Sequence, residues 1–322
     1  MCSYQLQEKG WVNKMSKNFN AYKGMTVRNI KVYLKDKMAI VLSMMAQIIV
    51  LGLYLLFLKS TYIDGIKSSL DGLQNMVTNT QIDAVVNAWL VAGVIGTSVV
   101  TVALNSLSVM VNDKQNKINY DYGASPVKNR TVVLSYFSGA VVNTFLMSAL
   151  LLTAGFVFLA ISSSLTYSFV EIISMYGLVA LGSISATLIL MLIVSFFKKS
   201  STLSSFGILV SAGIGFIIGA YIPVSQFDKS IQTVVNLVPG SQIAGMMRNV
   251  LMAPSIDSIN TSLGGVDNGV LADSLNDMFA LDMNVFSNEV GFKFMMLYSL
   301  CAIALFLVLN LIAYRFTSKI KD

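Results

Sequence analysis

SFGILVSAGIGFIIGAYIPVSQF, residues 205–227, runs for 23 residues without a charge. That is enough to cross a bilayer, which takes about 20 apolar residues. After Asp228 and Lys229 comes a second apolar stretch, IQTVVNLVPGSQIAGMMRNVLM, residues 231–252, broken at Pro239-Gly240. Each half of it is about ten residues, roughly 15 Å as a helix, and so too short to span. The reading is a span followed by two short helices that dip into the outer edge of the membrane and turn back. The rest of the chain is expected to frame this element.

Composition places that element in a polytopic helical membrane protein. Of 322 residues, 55% are hydrophobic and 12% charged, against about 25% charged in a soluble domain. Several apolar runs are of span length, and the alternation of a membrane barrel is absent. There is no histidine, and the two cysteines, Cys2 and Cys301, stand at opposite ends of the chain. They offer neither a disulfide framework nor a metal cluster. The net charge of +6 reads as basic loops on one side of a membrane rather than a nucleic-acid surface.

The fold class expected is all-α with six transmembrane helices, near Met38–Leu58, Trp89–Val111, Thr131–Ala160, Phe169–Phe197, Ser205–Ile222 and Phe294–Phe316. Residues 1–37 form a polar, basic N-terminal segment and 38–322 the six-span domain. Within the segment Phe19, Tyr22, Thr26/Val27, Ile30 and Tyr33/Leu34 share one helical face, while Arg28, Lys31 and Lys35 fall on another. That pattern predicts an amphipathic helix lying on an anionic membrane surface; an ordinary basic flank is the other reading. With both termini inside, 17 of the 22 Lys and Arg lie in inner segments, as the positive-inside rule requires. The outer side then holds the polar loop 59–88 and the region 223–292. Its part from 253 to 292 has no Lys or Arg but carries Asp257, Asp267, Asp273, Asp277, Asp282 and Glu289. Their spacing matches no calcium loop, so this insertion reads as a solvated cap, with a cation-binding role the alternative.

Catalytic chemistry is missing. Without His, a metal protease or His-based acyltransferase has no working parts, and no G-x-x-x-x-G-K-[ST] is present. Spans one, two, three, five and six lack internal Asp, Glu, Lys and Arg. Ion-coupled transporters usually carry such groups, whose cost of roughly 3 kcal/mol at mid-bilayer only function offsets. Energy for transport would therefore come from elsewhere. Small residues at Gly93 and Gly96, at Gly182, Ser183 and Ser185, and at Ser211, Gly215 and Gly219 suit close helix packing, between copies or within one chain. Gln47, Asn105, Asn143 and Asn310 read as hydrogen-bonding glue between helices, with lining of a substrate path the other use.

The inner loop 112–130, NDKQNKINYDYGASPVKNR, predicts a short helix over Lys114–Tyr122, closed by Gly123 and blocked at Ser125 by Pro126. Such a helix, charged and carrying Tyr120 and Tyr122, suits docking of a cytoplasmic partner; an ordinary polar loop is the alternative.

Together these stretches resemble the type-two ABC transporter permeases, the membrane subunits of bacterial ABC exporters. The resemblance covers nearly the whole chain. It rests on the N-terminal amphipathic helix, on DYGASPVKNRTVVLSYF before span three, on YIPVSQFDKSIQTVVNLVPGSQIAGMMRNVLM after span five, and on the basic C-terminal tail AYRFTSKIKD. It implies a non-enzymatic transport subunit in the bacterial cytoplasmic membrane, with both termini cytoplasmic. The implied partners are a soluble ABC ATPase, which binds the ATP and Mg, a second permease copy or paralogue, and membrane lipid. The coupling contact for the ATPase would comprise Lys114, Lys117, Tyr120, Asp121, Tyr122, Gly123, Ser125 and Pro126, with Arg28 and Lys31 of the surface helix. The re-entrant helices, about Phe227–Leu237 and Ser241–Met252, would cap the path through Pro223, Phe227, Leu237, Pro239, Met246 and Met247. The cargo implied is amphipathic: a drug, peptide or lipid-linked molecule. An ATP-independent channel, or a sensory or structural membrane protein, is the alternative function. Two departures from the family pattern stand out. Asp113 and Asp121 sit among Lys114 and Lys117, and the acidic insertion is longer than in the simplest members.

Overall fold

The computed structural model describes residues 2–319 apart from 71, 164–166, 268 and 287, with side chains from 18 to 313 save at those positions and at 74, 119 and 123. The last three residues of the basic tail thus lie outside the described residues. The helices in order are α1 (Cys2–Lys35), α2 (Lys37–Leu53), α3 (Lys59–Ser69), α4 (Asn79–Ser106), α5 (Ser108–Gln115), α6 (Ile118–Ala124), α7 (Asn129–Ser163), α8 (Phe169–Val194), α9 (Ser200–Ile217), α10 (Lys229–Asn236), α11 (Pro239–Leu263), α12 (Val270–Phe279) and α13 (Phe292–Lys319). Strands β1 (Met283–Val285) and β2 (Asn288–Val290) form an antiparallel pair before α13. Six stretches are long and apolar enough to cross a membrane: 37–69, 79–115, 129–163, 169–194, 200–217 and 292–313. They correspond one for one to the six expected spans.

The centre of the bundle is α4, not the stretch after span five. Its apolar window is 94% buried, against 17 to 61% in the other five spans. A helix that is apolar all round belongs inside, and small side chains let its neighbours close in. A Cβ on Gly96 would come within 2.8 Å of Ile218 and 2.9 Å of Ala244, and one on Gly93 within 2.9 Å of Ala220. The α4 glycines thus form a notch that receives α11 and the turn after α9. Contact runs the other way at Gly155 of α7, where a Cβ would meet Val91 at 2.6 Å, and at Gly182 of α8, which faces Ile243 and Val99.

Polar side chains fix the register around α4. The Gln47 amide of α2 and the Thr101 hydroxyl are hydrogen-bonded at 3.0 Å, and Ser98 donates to Ser148 of α7 at 2.8 Å. Asn143 of α7 donates to Ser106 at 2.8 Å, and Asn87 donates to Ser163 at 2.9 Å. Tyr54 donates in turn to Asn87. It is delivered there by a π-helical turn over Tyr54–Leu58, the extra residue rotating Tyr54 inward while Leu55, Leu56 and Phe57 face out. Each such bond between helices contributes about 0.6 kcal/mol in a membrane. Asn310 of α13 joins α8 by donating to the Leu188 carbonyl at 2.8 Å. Of the four glue candidates only Asn105 departs, donating to Thr101 of its own helix.

Several boundaries differ from expectation. The second span begins ten residues early, at a capping box in which Thr78 and Gln81 satisfy each other's backbone. Glu171, in the first turn of α8, does the same there with Ser168. The helix expected over Ser241–Met252 runs on to Leu263, so the acidic insertion begins as an extension of α11 rather than as a loop. Gly264, left-handed at φ 59°, ends it. In α1 the face turned to the bundle is Tyr22, Thr26, Asn29 and Tyr33, lying against α7 at Gly139, Ser135 and Ser138. Phe19, Val27 and Leu34, also of the expected apolar face, are exposed beside it.

The α4 notch gives a direct test. Gly96→Val forces α11 and the α9 turn apart and should destabilise the detergent-solubilised protein by roughly 1–3 kcal/mol, read as a lower thermal midpoint. Gly177→Ala, with nothing within 4 Å of its Cβ, should leave the midpoint unchanged or slightly raised. Equal shifts for the two would refute the notch.

Candidate functional site

At the α6 end of the bundle, α5 prolongs α4 past Leu107 and stops at Gln115. Lys117 adopts the left-handed conformation, φ 61°, and breaks the helix expected over Lys114–Tyr122 into α5 and α6. Gly123 lies inside α6, which closes two residues later at Ser125. There the Ser125 hydroxyl returns to the Tyr122 carbonyl at 2.8 Å.

The last turn of α5 ties four other helices together. Asp113, 4% exposed, accepts both guanidinium nitrogens of Arg28 from α1, Nη2 at 2.8 Å. It also accepts the Tyr136 hydroxyl of α7 at 2.5 Å. This is a two-pronged, charge-assisted contact, the strong kind, and the Asp113 hydrogen bond raises the Arg28 pKa further, keeping the guanidinium charged. Lys114 Nζ donates to the Ser195 carbonyl at the end of α8, 2.7 Å away, where a cation meets the negative end of a helix dipole. Asn112 accepts the Ser200 hydroxyl at 2.5 Å and Gln115 accepts the Ser200 amide at 2.6 Å, so the start of α9 is held as well. Tyr122 packs half-buried beside this group, and its burial pushes the hydroxyl pKa up.

The candidate coupling residues therefore divide. Arg28, Lys114 and Tyr122 face inward and belong to the tie. Lys117, Tyr120, Asp121 and Pro126 are exposed on and beside α6, Ser125 is half-buried, and Lys31 is exposed on α1 apart from them. Asp113, Tyr136, Asn112 and Ser200 were not among the expected site residues. A lone acid at the end of an uncharged span was the available signal for the first.

The second candidate group lies toward the opposite end of α4. Pro239 opens α11 and is buried, as is Pro223. Phe227 is half-buried, and Leu237 is exposed with its carbonyl accepting the Tyr298 hydroxyl at 2.6 Å. Met246 and Met247 are fully buried in the main core. Beside α10 opens a basin of about 830 Å³, walled by Ser225, Gln226, Lys229, Asp273, Asp277 and Glu289 among others. Between α2 and α9 lies a smaller groove of about 130 Å³, walled by Leu42, Met45, Ile49 and Ile208, with Asn105, Ser204 and Ser211 as its polar lining.

A family model described as ABC-2 type transporter matches residues 20–252, from the second half of α1 into α11. A search of curated proteins finds no match.

The tie at Asp113 can be tested apart from any transport assay. Asp113→Ala should make local release of α1 easier by roughly 1–3 kcal/mol. Limited trypsin would then cut after Lys23, Lys31 and Lys35 about tenfold faster or more, with helical circular dichroism unchanged. Val32→Ala on the exposed side of α1 should leave the cleavage rate as it was.

Proposed function

The chain belongs to the ABC-2 type transporter family, the membrane components of ATP-binding cassette transporters, and on that footing we propose that it is the permease of an ATP-driven exporter of amphipathic cargo. It is a multi-pass membrane protein whose own role is transport. ATP and Mg would be bound by a separate soluble ATPase docked on α6, and the chain would work as a pair with a second copy or a paralogue. The observation that carries this reading is the five-helix tie at Asp113, Lys114 and their neighbours. A push on α6 cannot stay local. It reaches α1 and α7 through Asp113, α8 through Lys114 and α9 through Ser200, so the α6 end moves as one lever. Rigid groups rearranging between discrete packings is the usual form of such transitions.

Orientation follows from charge. The α6 end carries the N-terminal basic helix, the 112–130 loop and Lys198–Lys199, so it faces the cytoplasm. The α12 end then lies outside. There α10 and α11 act as the re-entrant cap. Ser241 Oγ donates to the Ile217 carbonyl at 2.9 Å, and a Cβ on Gly240 would touch Val100, well along α4. The turn between α10 and α11 therefore sits below the level at which α4 begins. Cargo of mixed character suits the α2–α9 groove, where an apolar wall meets the Asn105 amide.

Exposed α6 residues should matter to coupling and not to folding. Pro126→Leu or Asp121→Lys should leave expression and the thermal midpoint of the spans intact. Cargo export and cargo-stimulated ATP hydrolysis in membrane vesicles should fall about tenfold, a loss of about 1.4 kcal/mol of coupling. Affinity purification in mild detergent should recover a P-loop ATPase in stoichiometric amount. Recovery of the chain alone, together with normal export by both variants, would refute the proposal.

A further inference from the structure

The outer end of α9 is closed from outside its own helix. Gly219 turns left-handed at φ 71°, and the amides of Ala220 and Tyr221 both return to the Gly215 carbonyl, at 2.7 and 3.1 Å. The carbonyls of Ile217, Ile218 and Gly219 remain, at the negative end of the helix dipole. All three are taken by α11. Ser241 holds the first at 2.9 Å, and Arg248 Nη2 donates to the second and, at 3.2 Å, to the third.

Arg248 is fully buried. Among the described residues its Nε and Nη1 have no partner, and no carboxylate forms an ion pair with it. The Tyr221 hydroxyl on the adjoining turn is buried and unpartnered too. A buried cation with donors to spare is costly to keep. It would be better satisfied wherever water could reach it. The packing around it is tight: a Cβ on Gly219 would stand 2.9 Å from Nη2 and 2.7 Å from Val224. Meanwhile α9 is short and little buried along its length, with 22% of its window inside. Polar pins hold it at both ends, at Ser200 against α5 and at Arg248 against α11.

We propose that Arg248 is the latch of the outer gate. In the state described here it positions the end of α9 against α11. When the α6 end moves and draws on α9 through Ser200, the carbonyls leave Arg248, the guanidinium meets water, and the seam at Tyr221 and Val224 opens. This rests on the reading of α10 and α11 as the outer cap of an ATP-driven permease. It adds the residue that sets whether the cap is shut.

The test uses the full chain with its own ATPase in membrane vesicles, with Cys2 and Cys301 both changed to Ser. Val224→Cys, a buried position in the seam, reports opening through its reaction with a membrane-impermeant maleimide. Val85→Cys, buried in α4, reports unfolding. In the parent, labelling at 224 should be slow at rest and at least tenfold faster with the ATPase trapped by ATP and vanadate. Arg248→Gln should label fast in both states, with position 85 still protected. Gly219→Ala, which crowds the guanidinium without changing it, should do the same, and Arg248→Lys should fall between. Slow, ATP-dependent labelling at 224 in Arg248→Gln overturns the latch. So does loss of protection at 85 in all three variants, which would make the role one of stability only. Fast labelling in Arg248→Gln with no response to ATP in the parent keeps the latch and removes the ATP-driven reading.

Discussion

The structure depends on one constraint: α4 is surrounded on every side. A helix with no face to lipid or water cannot use bulk to fill space, because each neighbour has to approach closely. Its residues are accordingly small where helices cross, at Gly93 and Gly96, and polar where the register has to be fixed, at Asn87, Ser98, Thr101 and Ser106. In lipid the hydrophobic effect gives helices little reason to associate. Close packing and these hydrogen bonds therefore have to hold α2, α7, α8 and α11 in place. Each bond is weak, but none involves a charge, so none brings the desolvation cost of an ion at that depth.

Two buried charged groups stand beside α4, one past its α6 end and one near its middle, at the Gly93 and Gly96 notch, and they do different work. At the α6 end an ion pair is completed by a third partner: Arg28 and Tyr136 both serve Asp113. That group is satisfied and stiff. Near the middle of α4 Arg248 is served, among the described residues, by backbone carbonyls and keeps unused donors. That group is under-satisfied, and so is the one more easily persuaded to change. A stiff handle past one end of α4 and a poorly satisfied contact midway along it is an arrangement in which a push at the first is released at the second. The helix that touches both is α9.

Much of this was legible in the sequence. Long uncharged runs fixed six spans, because length and polarity alone decide which helices can cross a bilayer. The Pro239 break located the start of α11, since proline is at home in a first turn. The central place of α4 was legible too, though only in its composition. Its run AWLVAGVIGTSVVTVALNS is rich in Ala, Gly, Ser and Thr, whereas the sixth span reads FMMLYSLCAIALFLVLNLIAY. Hydropathy scores both as spans, but only the first has the small side chains that a surrounded helix needs. The length of α11 was hidden because its polar second half, APSIDSINTSL, looks like loop when read for apolarity alone. In place it is packed along one side, with Ile256, Ile259 and Leu263 buried and Gln81 of α4 reaching Ser262 at 2.7 Å. The Asp113 tie was not legible, because its partners come from positions 28 and 136 and only the fold brings them together.

The small groove between α2 and α9 acquires its meaning from the same division. Asn105 is the exception among the four amides: it bonds its own helix and leaves its side toward the groove unclaimed by another. A neighbouring helix that satisfied it would also fill the groove. Among the described residues no side-chain hydrogen bond joins the middle of α9, Gly207 to Ala212, to α2, so it can stand off from Leu42 and Met45 without breaking one. The space between them is thus open because of how α9 is held. A displacement of α9 that releases Arg248 would change the width of this groove in the same movement, which makes the groove and the contact at Arg248 two consequences of how one helix is held.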